Sequence, residues 1–208
     1  MSRISNIFVI GAGSWGCAIS SVLHKNGCDV TLYHHSETFI EDLLSTRVHP
    51  QLQKSTIDKG ITLTAATDAL KNADYIFIAI PTQSIRKLLL NIEIPQESNI
   101  VSLSKGIEVD TYKFPCELVL ELTGCQESNV CALSGPSHAE EVIDGIPTTV
   151  VVAGSNMTLN RNVQDLLSST NMRAYSNSDL LGVELAGAVK NVISIASGMC
   201  IGLGFGDN

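Results

Sequence analysis

Short apolar runs alternate with amphipathic stretches over the first 178 residues. Residues 7–10 form an apolar run that ends in a glycine-rich turn, and residues 17–23 continue with helix-like spacing. Residues 75–80 are almost wholly apolar and end at Pro81. Strands buried on both faces are typical of parallel sheets that are covered by helices. The pattern therefore predicts an α/β fold, with a Rossmann-like, mostly parallel sheet and helices on both of its faces.

The longest helix-like stretch comes last, from residue 179 to residue 202. One face carries apolar residues at helical spacing, which predicts a buried stripe. The opposite face carries small residues and one cation, Lys190. We therefore divide the chain into a Rossmann-like domain, residues 1–178, and a helical region, residues 179–208. The predicted buried stripe consists of Leu181, Leu185, Ala188, Val192, Ala196 and Met199.

Three glycines follow the first predicted strand at the spacing of a dinucleotide-binding turn. Gly11 permits the tight turn, and Gly13 lets the backbone approach a pyrophosphate without a Cβ in the way. Gly16 allows the helix to pack close to the strand. The free N–H groups of the first helical turn then face an anion. This turn predicts the binding of a dinucleotide.

The end of the second predicted strand bears on the choice of cofactor. A site that prefers NAD usually carries Asp or Glu there, to bind the adenosine ribose. Here the sequence is His34-His35-Ser36, and Glu37 comes slightly late. Two imidazoles and a hydroxyl would tolerate a 2′-phosphate, so we expect that NADPH is accepted, with NADH as a further cofactor. Exposed loop histidines are the alternative interpretation.

Polar residues follow three further predicted strands. Residues 81–83 come after the strand that ends at Ile80, where the nicotinamide is expected. Lys105 stands beside a glycine after the next strand, a position that suits pairing with a phosphate or polarising a carbonyl. Ser137 lies in a small-residue turn after a later strand, as an N-cap or an anion contact. Ordinary loop residues are the alternative for residues 81–83 and for Lys105.

Lys190 lies in a row of small residues on the last predicted helix. Gly182, Ala186, Lys190 and Ser194 follow one another at intervals of four, with Asn191 beside them. Small residues leave an open groove, and a partly desolvated amine in that groove suits proton transfer at neutral pH. A lysine that reaches out to solvent is the alternative.

The composition narrows the class of partner. A net charge of −8 and a pI near 5.0 argue against a nucleic-acid partner, so an anionic ligand must be held by local groups. The six cysteines are scattered without metal-ligand spacing, which predicts reduced thiols and no metal site. The sequence has no signal-peptide pattern and no continuous apolar run of about 18 residues. We therefore expect a cytoplasmic protein without membrane insertion.

Four motifs together resemble the bacterial type of the NAD(P)-dependent glycerol-3-phosphate dehydrogenase family. They are spread over nearly the whole chain and occur in the family's order. They are the glycine turn at residues 11–16, the turn at residues 104–108, the turn at residues 134–142 and the helical motif at residues 184–192. The resemblance implies the reversible reduction of dihydroxyacetone phosphate to sn-glycerol 3-phosphate by NADPH or NADH, for glycerophospholipid synthesis.

The resemblance also implies roles for individual residues. Lys190 would be the catalytic acid or base and would also contact the substrate, with Asn191 able to orient it. Lys105, Gly135 and Ser137 would bind the substrate. The cofactor would contact Gly11, Gly13, Ser14, Trp15, Gly16, His34, His35, Lys105 and Ala139.

Members of this family continue into a helical substrate domain, of which residues 179–208 would be the start. On this interpretation the chain is truncated, and an exposed apolar patch would favour association, for example as a homodimer. Two alternatives stay open, another β-hydroxyacid or ketopantoate-type dehydrogenase and a nucleotide-binding fragment without catalysis. The expected patch consists of Ile193, Ile195, Met199 and Ile201.

Overall fold

Eight strands form one sheet in the computed structural model, which describes residues 4–205. All neighbouring strands are parallel except the sixth and seventh, which are antiparallel. The strands are β1 (Asn6–Ile10), β2 (Asp29–Tyr33), β3 (Thr62–Thr64), β4 (Tyr75–Ile78), β5 (Asn99–Ser102), β6 (Val130–Ser134), β7 (Thr148–Ala153) and β8 (Met172–Asn177). Their order across the sheet is β3-β2-β1-β4-β5-β6-β7-β8.

The described residues contain seven α-helices, of which six lie between strands and the seventh follows β8. The predicted class, a Rossmann-like and mostly parallel sheet with helices on both faces, is confirmed. The helices are α1 (Ser14–Lys25), α2 (Glu37–Thr46), α3 (Thr82–Leu89), α4 (Pro115–Thr123), α5 (Ala139–Ile143), α6 (Met157–Leu167) and α7 (Leu180–Gly202).

The alternation of side chains along β1 explains why the sheet has two cores. Ile7 and Val9 belong to the cluster that α1 and α6 cover, whereas Phe8 and Ile10 belong to the cluster that α3 and α4 cover. Successive residues of a strand point to opposite faces, so a strand apolar at every position is buried on both. This is why the runs at residues 7–10 and 75–78 are almost free of polar residues.

The polar stretch after α2 crosses the surface without a helix or strand of its own, but it carries its own anchors. Arg47 adopts a left-handed backbone conformation (φ +53°), and its guanidinium donates to the carbonyls of Asp58 and Ile61 at 3.1 and 2.9 Å. Leu52 and Ile57 are buried against the core beside α1. The segment is therefore a packed loop, even though its composition alone indicates a solvated one.

Asn160 is a fully buried amide on α6. Its Nδ2 donates to the carbonyls of Gly154 and Asn177, both at 2.8 Å. These carbonyls stand directly after β7 and at the end of β8. One side chain thus joins the helix to the ends of two strands, where the Asn177 carbonyl also accepts a hydrogen bond from the Gly154 N–H at 3.3 Å.

The predicted buried stripe on α7 is wrong. Leu181, Val192 and Met199 are 61–68% exposed, and the one residue of α7 that is buried is Glu184. Helical periodicity identifies an apolar face but does not identify the element that covers it. Among the described residues, α7 packs against β6 and β7, and its C-terminal half extends beyond them. The expected exposed patch is present, with Ile193, Ile195, Met199 and Ile201 all exposed.

We expect Asn160→Ala to lower the free energy of unfolding by about 1–3 kcal/mol, because the buried Gly154 carbonyl loses its donor. Urea denaturation of the purified chain measures this value. Arg161→Ala, on the exposed face of the same helix, is the control and should change it by no more than about 0.5 kcal/mol. Equal effects of the two substitutions would contradict the role given to the buried amide.

Candidate cofactor and substrate site

The glycine turn lies where the strand order reverses, between β1 and β4. Open parallel sheets bind ligands at the carboxyl ends of the strands at such a point. The Gly11 N–H donates to the Tyr33 carbonyl at 2.9 Å, which ties the turn to the end of β2. Gly11 has φ +112°, and an added Cβ would lie 2.5 Å from the Ala79 carbonyl oxygen. The turn therefore requires glycine both for its conformation and for its approach to β4.

The other two glycines of the turn differ from each other. A Cβ on Gly16 would overlap the Gly11 carbonyl oxygen, so the start of α1 can pack on the turn only without one. A Cβ on Gly13 would meet no atom within 4 Å among the described residues. Because packing within the chain does not require glycine at position 13, the open space in front of it fits a ligand that approaches the backbone.

The first turn of α1 presents unpaired donors to this space. The first hydrogen bond of the helix joins the Cys17 N–H to the Gly13 carbonyl at 2.9 Å, so the preceding N–H groups have no acceptor within the helix. The first turn, which includes Ser14, carries no acidic residue. The buried Trp15 Nε1 has no hydrogen-bond partner in the described part of the chain. These donors and the helix dipole suit a pyrophosphate.

Imidazole rings gather at the end of β2. The ring centroids of His34 and His35 are 4.4 Å apart, and Phe39 lies 4.5 Å from His34. His34 Nδ1 accepts a hydrogen bond from the Ser36 N–H at 3.1 Å. Burial, followed by the charge of His35, lowers the pKa of His34. His34 is therefore a structured part of the site, whereas the His35 side chain is exposed.

The sequence analysis did not identify a third imidazole at this end of the sheet, that of His49. It is 5% exposed and packs edge-on against Phe39, with ring centroids 5.9 Å apart. Burial lowers the pKa of His49, and a hydrogen-bonding contact with the Ala12 backbone in the glycine turn partly opposes this shift. A histidine within a polar loop has no local pattern that indicates burial. The loop after α2 brings it to the cofactor end of the site.

Lys105 follows β5 and reaches across to the turn after β6. Its Nζ donates to the Gly135 carbonyl at 2.9 Å. Gly135 has φ +153°, and an added Cβ would lie 2.9 Å from the Thr149 carbonyl oxygen, so this carbonyl is held by close backbone packing. Burial, followed by the charge of Lys190, lowers the pKa of Lys105. The two amines therefore share one region of the site.

The residues expected beside the nicotinamide hold the Lys105 loop in place. The Thr82 hydroxyl donates to the Lys105 carbonyl at 3.0 Å, and Gln83 Nε2 donates to the Ile107 carbonyl at 2.8 Å. One turn further along α3, Arg86 forms a salt bridge with the buried Glu108 at 2.9 Å. The start of α3 is thus a support for the loop that carries the lysine.

The turn after β6 differs in one detail from the expectation. The N-cap of α5 is His138, so the expectation that Ser137 caps the helix is wrong. The Ser137 Oγ is buried and has no hydrogen-bond partner within residues 4–205. Ala139 is buried at the start of α5, in the cluster shared with α1. The Ser137 N–H donates to the Gly135 carbonyl at 3.0 Å.

Lys190 lies half-buried on α7, and Asn191 is exposed. No salt bridge to Lys105 or Lys190 occurs among the described residues. Two amines that stand close together without a carboxylate form a local positive site in a chain of net charge −8. Such a pair suits a dianionic group of a ligand, such as a phosphate.

The described residues also bear on metal binding and on membrane insertion. No group of three or more His, Cys, Asp or Glu side chains that could hold a metal ion occurs in the described part of the chain. All six cysteines are free, and burial raises the pKa of Cys17 and Cys131 to about 12. By length and composition alone α7 could cross a membrane, with mean hydropathy 1.4, a property that soluble core helices share.

Comparisons with known proteins identify relatives over the whole of this site. Residues 6–160 match the family model of the NAD-dependent glycerol-3-phosphate dehydrogenase N-terminus, and residues 179–208 match that of its C-terminus. The chain is 40% identical over 201 residues to glycerol-3-phosphate dehydrogenase [NAD(P)+] of Thermotoga, covering 97% of this chain and 60% of the relative. The enzyme of the same name from Prosthecochloris aestuarii is 42% identical, with 97% and 62% covered.

A solved structure agrees with the sequence relatives. The glycerol-3-phosphate dehydrogenase of Coxiella burnetii superposes with a TM-score of 0.87 at 29% identity, covering 99% of this chain and 63% of that one. The chain spans 60–63% of the length of the curated relatives it matches. Because the N-terminal family model covers most of its residues, the chain belongs to the NAD-dependent glycerol-3-phosphate dehydrogenase family.

Proposed function

We propose that this chain is the cofactor-binding part of an NAD(P)-dependent sn-glycerol-3-phosphate dehydrogenase, which reversibly reduces dihydroxyacetone phosphate to sn-glycerol 3-phosphate. One observation carries the proposal. Lys105 and Lys190, neither of which has a salt-bridge partner among the described residues, lie near each other at the sheet edge that also carries a dinucleotide turn. Phosphate binding, proton donation and cofactor binding are thereby supported within a single crevice.

NADPH or NADH fits the residues at the first part of this edge. The space in front of Gly13 and the free N–H groups of Ser14 and Trp15 suit the pyrophosphate, and His34 and His35 suit the adenosine end. When bound, the nicotinamide supplies a hydride to the substrate carbonyl carbon. Ala139, at the start of α5, would contact the cofactor from the opposite side.

The second part of the edge would hold the substrate. Lys105 and Ser137 would bind its polar groups, next to the Gly135 carbonyl that orients Lys105. As the carbonyl carbon is reduced, its oxygen gains negative charge and needs a proton. The Lys190 amine would donate that proton and stabilise the developing charge, and in the reverse direction it would accept it.

The proposal also includes the domain division, the type of partner and the cellular location. Residues 1–178 would form the dinucleotide-binding domain, and residues 179–208 would begin the substrate domain. The partner would be a small molecule, and the product would serve glycerophospholipid synthesis in the cytoplasm. Association through the exposed face of α7 would give a homodimer, which analytical ultracentrifugation of the purified chain can detect.

A second candidate is a nucleotide-binding module without turnover. It is favoured by the apolar face of α7, which the described residues leave exposed. The two functions differ in a simple assay. The nucleotide-binding module is supported if the chain binds cofactor but does not reduce dihydroxyacetone phosphate. Reduction should then be restored by adding the C-terminal part of the Thermotoga relative. Preference for ketopantoate as substrate would instead contradict the proposed substrate.

We expect Gly13→Val to raise the dissociation constant of NADPH by roughly tenfold or more, because the side chain would occupy the space of the pyrophosphate. NADPH fluorescence titration measures this. Since a Cβ at this position meets no atom within 4 Å in the described structure, the free energy of unfolding should stay close to that of the unsubstituted chain. Unchanged NADPH affinity in a folded variant would contradict the assignment.

Lys190→Ala should lower the rate of dihydroxyacetone phosphate reduction by about 10²–10⁴-fold, the usual worth of a general acid. The NADPH dissociation constant should change by no more than a few-fold, since the lysine lies away from the glycine turn. The loss of NADPH absorbance, with and without the added C-terminal part of the relative, gives the rate. Near-normal turnover would contradict the role of Lys190.

NADPH should bind more tightly as the pH falls from 8 to 5.5, by roughly tenfold, because protonated His34 can pair with a 2′-phosphate. The affinity for NADH should change much less over the same range. Because burial lowers the pKa of His34 from 6.5, this ring is mostly neutral at pH 7. Parallel titrations of the two cofactors at several pH values measure the difference.

The test variant is His34→Asn, which should flatten the pH dependence for NADPH. His24→Asn, at the far end of α1, should leave it unchanged. In the absence of cofactor, lowering the pH weakens folding instead. Below pH 6.5 the unfolded chain protonates His34 more readily than the folded chain does, so the free energy of unfolding decreases as the pH decreases. Equal pH profiles for NADPH and NADH would contradict a 2′-phosphate site.

A further inference from the structure

Two of the contacts that hold the helix carrying Lys190 to the sheet domain lie in its N-terminal half, close to that lysine in sequence. The first is made by Glu184 and the second by Gly187, which come six and three residues before Lys190. At this spacing, one turn of helix separates each contact from the next. Beyond Lys190, residues 191–205 are exposed.

Glu184 anchors α7 to the start of α4. Its carboxylate accepts a hydrogen bond from the Cys116 N–H at 2.9 Å, in the first turn of α4. A carboxylate at a helix N-terminus pairs with the positive end of the helix dipole. The anchor therefore limits the rotation and sliding of α7 on the domain, although it does not set how closely the two approach.

Gly187 sets that approach. A Cβ at this position would lie 2.8 Å from the Ser134 Oγ and 3.6 Å from the Lys105 Cγ. The first distance is too short for a normal contact, so the backbone of α7 lies against the end of β6 as closely as glycine allows. Gly187 faces both the turn after β6 and the side chain of Lys105.

We propose that Gly187 is a positioning residue, which by its lack of a Cβ sets the spacing between Lys190 and Lys105. The roles of the two lysines rest on the proposed function, whereas the spacing itself is a property of the fold. A methyl group at position 187 would have to displace the Ser134 Oγ or push α7 outward, beside the Lys105 side chain. A displacement of about 1 Å in a catalytic group can cost roughly 100-fold in rate.

The titration of Lys105 measures this spacing without any need for turnover. The charge of Lys190 is the second cause, after burial, of the lowered pKa of Lys105. Side-chain NMR of chain labelled with ¹³C and ¹⁵N at lysine gives the pKa of Lys105 directly. Lys190→Met removes the nearby charge and should raise that pKa, which defines the full extent of the coupling.

Gly187→Ala should raise the pKa of Lys105, because an outward shift of α7 reduces the burial of Lys105 and also moves the charge of Lys190 away from it. Gly198→Ala is the matched control on the same helix, where a Cβ meets no atom within 4 Å in the described structure. It should leave the titration of Lys105 unchanged. Both substitutions place alanine in the same helix, so a difference between them does not arise from helix propensity.

The clash with Ser134 provides a rescue that a general loss of stability would not show. Ser134→Ala removes the nearest atom, and in the Gly187→Ala background it should return the pKa of Lys105 toward that of the unsubstituted chain. Where the protein reduces dihydroxyacetone phosphate, Gly187→Ala should lower kcat by about 10–100-fold, leave the NADPH dissociation constant unchanged, and be rescued in the same way.

Different results would contradict the positioning role of Gly187 and the proposed dehydrogenase function. An unchanged Lys105 titration in folded Gly187→Ala, or a change equal to that in Gly198→Ala, would overturn the positioning role. A partial rise that Ser134→Ala reverses would establish it, whether or not turnover is seen. Absence of reduction alongside that response would count against the proposed function alone.

Discussion

The close approach of two backbone segments at the reversal of strand order is the constraint on which the rest of the site depends. Gly11 presses against the Ala79 carbonyl, and Gly16 presses against Gly11. These contacts bring β1, the exit of β4 and the start of α1 within reach of one another without any side chain between them. The N-terminus of α1 then points along the sheet edge, which is where its unpaired N–H groups can meet an anion.

Because the net charge of the chain is negative, an anionic ligand has to be bound by the groups directly around it. A chain of charge −8 does not attract phosphorylated ligands as a whole, so the proposed anion site relies on the first turn of α1, the imidazoles after β2, and two amines. Two carboxylates that follow Lys105 in the chain, Glu108 and Glu117, have other partners. Glu108 pairs with Arg86, and the first-turn carboxylate of α4, Glu117, accepts from the Phe114 N–H at 2.8 Å. The positive region is thereby kept free of competing anions.

The parts predicted from sequence are those whose pattern is local. The strand, turn and helix at residues 6–25 follow from neighbouring residues, because an apolar run, three glycines and helical spacing each act over a few positions. His49 and Glu184 were missed because their partners lie far along the chain, at Ala12 in the glycine turn and at Cys116 in α4. The α7 stripe failed for the opposite reason, since its periodicity is local and correct while the surface that would cover it is not specified by periodicity.

The amine of Lys105 illustrates how rigid backbone orients a flexible side chain. A lysine has four rotatable bonds and would lose considerable entropy on binding a ligand if it were free in solvent. Its bond to the Gly135 carbonyl uses one of three donors, and that carbonyl is fixed by the packing of Gly135 on Thr149. Two donors remain for a ligand while the side chain is already ordered. The entropy cost is thus met on folding, so the crevice can bind an anion with little further reorganisation.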